Sequence, residues 1–93
     1  MLPTIWSATA IQDAELIVDY IAERNPVAAR NVRNRLVEAA EGLGQAPYLY
    51  REGRVAGTRE AVVLPNYILV YRVELAAIRV VQVLHASQRY PQT

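Results

Sequence analysis

The spacing of apolar residues changes once along the chain, near residue 45, and this change limits the folds available to it. Before that point apolar residues recur every three to four positions, which is the spacing of helices packed by one face. After it, short runs rich in valine, isoleucine and tyrosine follow one another, as in strands. A length of 93 residues suits one domain, since most domains have about 50 to 200 residues. We therefore predict a single α+β domain over residues 1–93.

The first half of the chain predicts two helices. The first has an apolar stripe at Ala10, Ala14, Ile17 and Ile21. Its N-cap is either Thr9, which forms a capping-box pattern with Gln12, or Ser7. This helix should end near Arg24.

The second helix begins with Asn25 as N-cap and Pro26 at the first helical position. Its apolar stripe comprises Ala28, Val32, Leu36, Ala40 and Leu43. Gly42 and Gly44 offer C-terminal stops. Because the connection between the helices is so short, they must form an antiparallel hairpin.

Strands are predicted before and after the hairpin. A short one lies within Leu2–Trp6, and the later ones span residues 54–56, 59–64, 67–74 and 78–85. In Tyr67–Val73 both alternating sets of side chains are largely apolar, which indicates a central strand covered on both faces. The order is β-α-α-β-β-β-β, with the helical hairpin on one face of a mainly antiparallel sheet.

Composition excludes several kinds of site. The chain has no cysteine and one histidine, which removes disulfides, cysteine-type zinc sites, thiol nucleophiles and multi-histidine metal sites. Its four glycines match no phosphate-binding loop. We predict no metal and no cofactor. No apolar run approaches the roughly 20 residues of a membrane span, and no export signal opens the chain. We therefore expect a soluble cytoplasmic protein without a membrane partner.

The charge is small in total but unevenly distributed. All ten basic residues are arginine, and the net charge is +1. That total predicts no nucleic-acid partner. Residues 1–45 hold four arginines and six acids, whereas residues 46–93 hold six arginines and three acids. The second half is therefore the basic half, and arginine suits bidentate contacts with carboxylates or phosphates. A GC-rich genome is the simpler explanation of the arginine bias.

His85, at the end of the last strand, is the first candidate functional residue. It could act as a general acid or base, or contact a phosphate. It could equally be a strand-end residue hydrogen-bonded to the backbone. Arg89, four residues later, either lies near the same spot or is solvated. Ser87 is too close in sequence to His85 to indicate a catalytic triad.

Two strand arginines are further candidates. Arg59 could bind a phosphate in a groove, or pair with Glu60 or Glu74 at the surface. Arg72 lies in mid-strand between apolar neighbours, where an arginine should have a partner. For Arg72 we predict a structural ion pair.

Four tyrosines accompany these arginines: Tyr48, Tyr50, Tyr67 and Tyr71. Tyrosines interleaved with arginines on a sheet could stack on bases. More often such tyrosines are core residues whose hydroxyls reach the rim.

With these elements in order, the sequence resembles the RelE/ParE superfamily of toxins from type II toxin–antitoxin modules. The resemblance runs from Trp6 to Pro91 and is closest to the ParE branch. It is carried by the strand–hairpin start and then by the patterns G-x-R-E, P-N-Y-I-x-x-Y-R-V and V-x-x-V-x-H-A-x-x-x-Y-P. It implies the superfamily fold and a toxin held inactive by a cognate antitoxin, which alone would contact operator DNA.

The resemblance also implies where the antitoxin binds. A partly disordered antitoxin segment would fold across the hairpin and the sheet, which would account for an apolar content of 53% in so short a chain. The antitoxin-binding candidates are Leu16, Tyr20, Val32, Leu36, Tyr48 and Tyr50.

Two targets divide the superfamily. RelE-like members cut mRNA on the ribosome with basic and acid–base side chains, whereas ParE-like members inhibit DNA gyrase without chemistry of their own. Against the RelE pattern, Arg59 and Arg89 have counterparts, and His85 could substitute as acid or base. Ala61 and Val63 occupy the next inward positions, and Ile68 replaces the phosphate-clamping arginine.

The incomplete RelE pattern favours a ParE-like, non-enzymatic inhibitor of DNA gyrase. Its candidate target-binding residues are Arg59, Arg72, His85, Arg89 and Tyr90. The alternative is a ribosome-dependent mRNA endonuclease that uses Arg59, His85 and Arg89. A third hypothesis is a non-toxic remnant that survives as a binding or autoregulatory partner.

Overall fold

The computed structural model describes residues 1–91, so the last two residues of the predicted domain lie outside the described residues. The elements follow the predicted order: β1 (Thr4–Trp6), α1 (Ala8–Ala22), α2 (Pro26–Gly42), β2 (Arg51–Glu52), β3 (Arg59–Leu64), β4 (Tyr67–Val73) and β5 (Ile78–His85). A single 3₁₀ turn, Leu43–Gln45, follows α2. The predicted α+β architecture, a helical hairpin on a mainly antiparallel sheet, is confirmed.

Side-chain caps set the starts of both helices. Ser7 caps α1, and its hydroxyl accepts a hydrogen bond from the Ala10 N–H at 3.0 Å. Of the two predicted caps, Ser7 is therefore the one used, because Thr9 already lies inside the helix. Asn25 caps α2 by accepting from the Ala28 N–H at 3.0 Å, and Pro26 follows it as predicted. Each cap satisfies an N–H that has no partner within its helix.

Within residues 1–91 the sheet has five strands in the order β1-β5-β4-β3-β2. β1 runs parallel to β5, and the other neighbouring pairs are antiparallel. β4 is central, as predicted from its apolar residues. Leu69 and Tyr71 face the helices, while Ile68 and Val70 belong to a second buried cluster on the opposite face.

The strand predicted at residues 54–56 is wrong. The observed strand is Arg51–Glu52, which pairs with Glu60 and Arg59 of β3. Residues 55–58 instead form a turn, in which the Thr58 N–H donates to the Val55 carbonyl and Gly57 has φ 81°. A positive φ suits glycine and turns the chain away from a strand.

The main core lies between the hairpin and the sheet. Its largest fully buried side chains include Leu36 and Leu43 from the helical half, and Leu69, Tyr71 and Ile78 from the sheet. The smaller cluster on the opposite face comprises Ile68, Val70 and Leu84, with Val81 and Tyr90 packed against it. The segment after β5 therefore returns across the sheet face that the helices leave open. None of the helices in residues 1–91 has the length and apolar character needed to cross a membrane.

Candidate functional site

Arg59 and Tyr71 lie opposite each other on β3 and β4 and brace the loop that leads into β2. The Arg59 guanidinium donates to the carbonyl of Tyr50 at 2.7 Å and to that of Tyr48 at 3.4 Å. It also lies 4.9 Å from the centroid of the Tyr48 ring, within the range of a cation–π contact. The Tyr71 hydroxyl donates to the Pro47 carbonyl at 2.6 Å.

The ion pair predicted for Arg59 with Glu60 or Glu74 is wrong. The hydrogen bonds of Arg59 go to backbone carbonyls, and the ion pairs of Glu60 and Glu74 are made with other arginines. The braced loop presents Tyr48 and Leu49 to solvent. Because hydrogen bonds from Arg59 and Tyr71 hold the loop backbone, binding through Tyr48 and Leu49 should lose little conformational entropy.

We predict that the hydrogen bond from the Tyr71 hydroxyl to the Pro47 carbonyl stabilises the conformation of this loop. Burial raises the pKa of Tyr71 despite the opposing charge of Arg59, so the phenol stays a donor at neutral pH. Replacing Tyr71 with phenylalanine should cost about 1 kcal/mol of unfolding free energy, because the Pro47 carbonyl loses its partner. Urea denaturation would measure this loss, and amide exchange at residues 48–50 should become faster. Unchanged exchange there would contradict the bracing role.

Glu60 forms a buried anionic centre on the face of the sheet away from the helices. Its side chain is 1% exposed and accepts from Arg51 Nη2 at 3.1 Å. Arg54 donates from its backbone N–H at 2.9 Å, from Nε at 3.1 Å and from Nη2 at 3.1 Å. The Arg54 guanidinium also lies 5.6 Å from the centroid of the Tyr90 ring. Glu60 therefore holds the 51–54 segment and, through Arg54, the end of the described chain.

The pKa of Glu60 reflects the opposing effects of burial and of the neighbouring arginines. Burial alone would raise the pKa of the carboxyl, but the hydrogen bonds and charges of Arg54 and Arg51 together outweigh it and keep the pKa below its ordinary value. Sequence reasoning missed this centre. The available signal was an acid near the start of a strand that is otherwise apolar from Ala61 to Leu64, and such an acid requires compensation if buried.

The remaining strand arginines have local partners. Arg72 donates from Nη1 to the Ala56 carbonyl at 3.4 Å, so the ion pair predicted for it is wrong. The turn at Gly57 brings that carbonyl over the strand end, and no carboxylate among residues 1–91 pairs with Arg72. Arg79 pairs with Glu74 at 3.0 Å.

His85 lies at the far end of the sheet from Arg59. Its ring packs edge-on against Tyr67, with 5.4 Å between centroids. Nδ1 accepts from the Ser87 N–H at 3.1 Å and lies 2.7 Å from the Ser87 hydroxyl oxygen. The side chain is exposed, and Nε2 is the nitrogen not engaged by this turn. The alternative prediction for His85, a hydrogen bond to the backbone, therefore applies to its Nδ1 atom.

The three candidates for nuclease chemistry are not brought together. Arg59 pairs with Tyr71 of β4, whereas His85 pairs with Tyr67, four residues away on the same strand. Strand geometry then separates the Cα atoms of Arg59 and His85 by about 13 Å along the strands and about 10 Å across them. Arg89 is exposed on the segment after β5. Within residues 1–91, no three acidic or histidine side chains are grouped to hold a metal ion.

The antitoxin-binding candidates divide by exposure. Leu16 is 64% exposed, and Tyr20, Tyr48 and Tyr50 are exposed as well. Leu36 is 1% exposed and belongs to the core, so its prediction as a freely available contact is corrected. Val32 is partly buried against the same core. Both lie on the face of α2 that packs inward, and this face is the one its apolar stripe marks.

A groove lies between α1 and α2 on the outer side of the hairpin. It has a volume of about 440 Å³. Its apolar lining includes Trp6, Ile11, Val18, Leu36 and Val37. Its rim carries Glu15 and Asp19 from α1 and Arg33 from α2. The excess of acids in residues 1–45 is therefore concentrated on α1, whereas α2 exposes Arg30, Arg33 and Arg35.

Known proteins are similar to this chain in sequence and in fold. Residues 4–90 match the family described as the ParE toxin of the type II toxin–antitoxin system, parDE. Toxin RelE2 of Caulobacter vibrioides is 34% identical over 90 residues, which cover 95% of this chain and 99% of that protein.

Solved structures agree on the fold. The chromosomal ParDE toxin–antitoxin system from P. aeruginosa contains a chain with a TM-score of 0.81 at 20% identity, covering 91% of this chain and 96% of that one. The E. coli DinJ–YafQ complex gives a TM-score of 0.63 at 15% identity, covering 97% and 99%. With the family match spanning nearly every described element, the chain belongs to the RelE/ParE family of toxins from type II toxin–antitoxin systems.

Proposed function

We propose that this toxin acts by binding a protein target, DNA gyrase, and is neutralised when a cognate antitoxin covers its surface. The observation that carries the proposal is the separation of Arg59 from His85 across the sheet. A ribonuclease needs groups that take a proton, stabilise the phosphate and return a proton within reach of one phosphodiester. Two of the three candidates for those roles lie too far apart to share one.

The electrostatics of the sheet support the same conclusion. Ile68 occupies the position where RelE-like nucleases carry a phosphate-clamping arginine, and it is buried beneath Tyr90. Arg54 and Arg51 are directed to Glu60, and Arg59 is directed to two carbonyls. These guanidinium groups therefore stabilise the protein itself. Removing a positive group from a site that stabilises negative charge typically costs about 3 kcal/mol of transition-state stabilisation.

The exposed surface suits protein binding. Tyr48 and Leu49 project from a braced loop beside arginines, and tyrosine and arginine are the residues that most often dominate binding energy. The groove between α1 and α2 suits an amphipathic antitoxin helix with apolar side chains on one face. Proteins that share the fold have been solved as a ParDE toxin–antitoxin system and as a DinJ–YafQ complex, which supports an antitoxin partner for this chain.

Ribosome-dependent mRNA cleavage is the second candidate function, and the geometry of His85 favours it. Ser87 fixes the imidazole through Nδ1, while Nε2 faces away from that turn. A histidine held in this way can exchange a proton with a substrate. In that case Arg59 would have no part in the reaction, because its guanidinium is engaged at the other end of the sheet.

Induction of the toxin without its antitoxin tests the two functions together. If gyrase is the target, DNA breaks should appear and purified toxin should inhibit supercoiling by purified gyrase. Mapping of mRNA 5′ ends in the same cells should show no new cuts in phase with codons. Codon-phased cuts without DNA breaks would overturn the gyrase proposal. Normal growth on induction would favour the third hypothesis, a non-toxic binding partner.

Replacing His85 with alanine separates the functions by magnitude. For a gyrase inhibitor we expect a modest loss of toxicity, because one exposed contact is removed. For a nuclease that uses His85 as acid or base, the cleavage rate should fall by roughly two orders of magnitude or more. Supercoiling and mRNA-cleavage assays on the same purified variant would measure both. Arg30→Ala serves as the control, because Arg30 is exposed on α2 and belongs to neither set of candidate residues.

A further inference from the structure

A turn that closes directly after β5 holds the backbone of His85. The Gln88 N–H donates to the His85 carbonyl at 2.9 Å, and the Gln88 side chain accepts from the His85 N–H at 3.3 Å. The Ala86 N–H donates to the Asn66 carbonyl at 2.7 Å, which ties this turn to the one between β3 and β4. The imidazole is therefore attached to a backbone that hydrogen bonds constrain on both sides.

Two neighbours restrain the imidazole ring itself. Tyr67 is the cross-strand partner of His85, and its ring meets the imidazole edge-on, with 5.4 Å between centroids and 89° between the planes. Edge-on contacts are a favoured geometry for aromatic rings. Ser87 contacts Nδ1 through two groups, its N–H at 3.1 Å and its hydroxyl oxygen at 2.7 Å. The ring therefore has a defined orientation before any partner binds.

The Ser87 N–H decides which imidazole nitrogen carries the hydrogen. A main-chain N–H can only donate, so the Nδ1 atom that it meets is the acceptor. A neutral imidazole has one bare nitrogen and one N–H, so its hydrogen is on Nε2. The Ser87 hydroxyl can donate or accept, so it strengthens the contact with Nδ1 without selecting the tautomer. His85 is thus held in the form that carries Nε2–H.

This Nε2–H is available to a partner. No group among residues 1–91 accepts a hydrogen bond from it, and the side chain is exposed. Because the orientation of the ring is already fixed, binding to it loses little conformational entropy. An N–H offers no lone pair, so the group that fits it is an oxygen acceptor and not a donor or a cation.

We propose that His85 binds the protein target of this toxin as a hydrogen-bond donor through Nε2–H. The Ser87 N–H is the positioning group that fixes this tautomer, and the group bound is a carbonyl or carboxylate oxygen of the target. This inference rests on the proposed function, because it takes a protein as the target. It gives the contact at His85 a direction, in which the toxin donates and the target accepts.

The same tautomer argues against a proton-accepting role for His85. A general base needs a bare nitrogen within reach of the proton that it removes. The bare nitrogen of His85 is Nδ1, which already meets the N–H and the hydroxyl of Ser87. The other nitrogen, Nε2, carries the hydrogen. Hydrogen-bond donation is therefore the role that the neutral side chain performs without rearrangement of the turn.

NMR of the nitrogen-labelled, untagged full-length toxin tests the tautomer without any substitution. His85 is the only histidine of the chain, so the imidazole nitrogen signals belong to it alone. At about pH 8, above the range in which histidines ordinarily titrate, we expect the hydrogen on Nε2. We also expect a scalar coupling between Nδ1 and the Ser87 amide nitrogen. A hydrogen on Nδ1 in a comparable fraction of the molecules would overturn the inference.

Two substitutions of His85 test the contact with the target. Asparagine can accept from the N–H two residues on, as Nδ1 does here, so His85→Asn keeps the turn but has no donor at the position of Nε2. Glutamine is one methylene longer, and its amide nitrogen can reach that position. Inhibition of purified gyrase should weaken about fivefold in His85→Asn, the effect of one hydrogen bond, and less than about twofold in His85→Gln. Equal losses in the two variants, each shown to be folded by circular dichroism, would contradict the inference.

The outcomes distinguish this inference from the proposed function. Wild-type toxin that does not inhibit gyrase would overturn the proposed function and the contact inferred for His85, whereas NMR judges the tautomer independently. If the toxin inhibits gyrase and the two variants lose equally, only the donor role fails. If the toxin cuts mRNA and His85→Gln slows cleavage about a hundredfold or more, His85 transfers protons, because an amide cannot replace it in that role. That result would also overturn the donor role.

Discussion

Replacing Glu60 with glutamine should lower the free energy of unfolding by about 3 kcal/mol, because a buried carboxylate loses charge-assisted hydrogen bonds from two partly exposed arginines. Glu60 accepts from the side chains of Arg51 and Arg54 and from the Arg54 backbone, while its own side chain is 1% exposed. An amide has only one oxygen to accept these donors, so at least one arginine N–H loses its partner. Thermal unfolding should show a decrease in Tm of roughly 15 °C.

Glu74→Gln is the matched control. Glu74 pairs with Arg79 at 3.0 Å, and both side chains are 40% exposed. An exposed pair contributes less than about 1 kcal/mol, so this variant should unfold close to the wild type. Equal destabilisation by the two substitutions would contradict the special role of Glu60.

Glu60 should also make stability depend on pH in the acid range. The pKa of its carboxyl in the folded protein lies below its ordinary value of 4.5, since the arginines outweigh the effect of burial. A lowered pKa means that the stabilising contribution is present above pH 4.5 and is lost as the pH falls through the folded-state pKa. Urea denaturation between pH 7 and pH 3 should therefore show a steeper loss for the wild type than for Glu60→Gln. Parallel curves would contradict this prediction.

Replacing Leu36 with alanine should cost about 3 kcal/mol of unfolding free energy, since a buried leucine leaves a cavity when it is shortened. Leu36 is 1% exposed and lies in the core between the hairpin and the sheet. The residual cavity would lie beneath the groove between α1 and α2. Chemical denaturation of purified toxin would measure the change.

Leu16→Ala supplies the control, since it makes the same chemical change at a helix position that is 64% exposed. Its unfolding free energy should change by less than about 0.5 kcal/mol. If the antitoxin contacts Leu16, this variant should bind antitoxin more weakly without losing stability. A large loss of stability in Leu16→Ala, or none in Leu36→Ala, would contradict the observed packing.

The helices and their caps were predictable from the sequence because their determinants are local. Asn25 and Pro26 start α2, and an apolar residue at every third or fourth position marks the buried face. Periodicity could not show that Leu36 of α2 is buried completely whereas Leu16 of α1 is exposed. Periodicity identifies a face of a helix, but the depth of burial depends on what packs against it.

The sheet was predictable in part. The alternation in Tyr67–Val73 indicated a central strand, and β4 is central. The strand at residues 54–56 was wrong because the apolar side chains near it belong to a turn around Gly57. A positive φ at one glycine leaves little trace in hydrophobic patterning.

The candidate site depended most on long-range pairing. Arg59, Arg72 and Glu60 were recognisable as charged residues within strands, but their partners come from other strands and loops. Side chains alternate between the two faces of a sheet, so a shift of one residue in register would exchange every partner. The predicted ion pair of Arg72 failed because its nearby acceptor is the Ala56 carbonyl in the turn around Gly57, which strand patterning did not reveal.

Periodicity, caps and ordered motifs are read along the chain, and they were enough to predict the α+β fold, the helical hairpin and the resemblance to the toxin superfamily. Only the tertiary structure decided that Glu60 gathers Arg51 and Arg54 and that Arg59 and His85 lie at opposite ends of the sheet. These properties depend on strand order and register, which bring together residues far apart in sequence, and short-range patterns carry no record of that pairing.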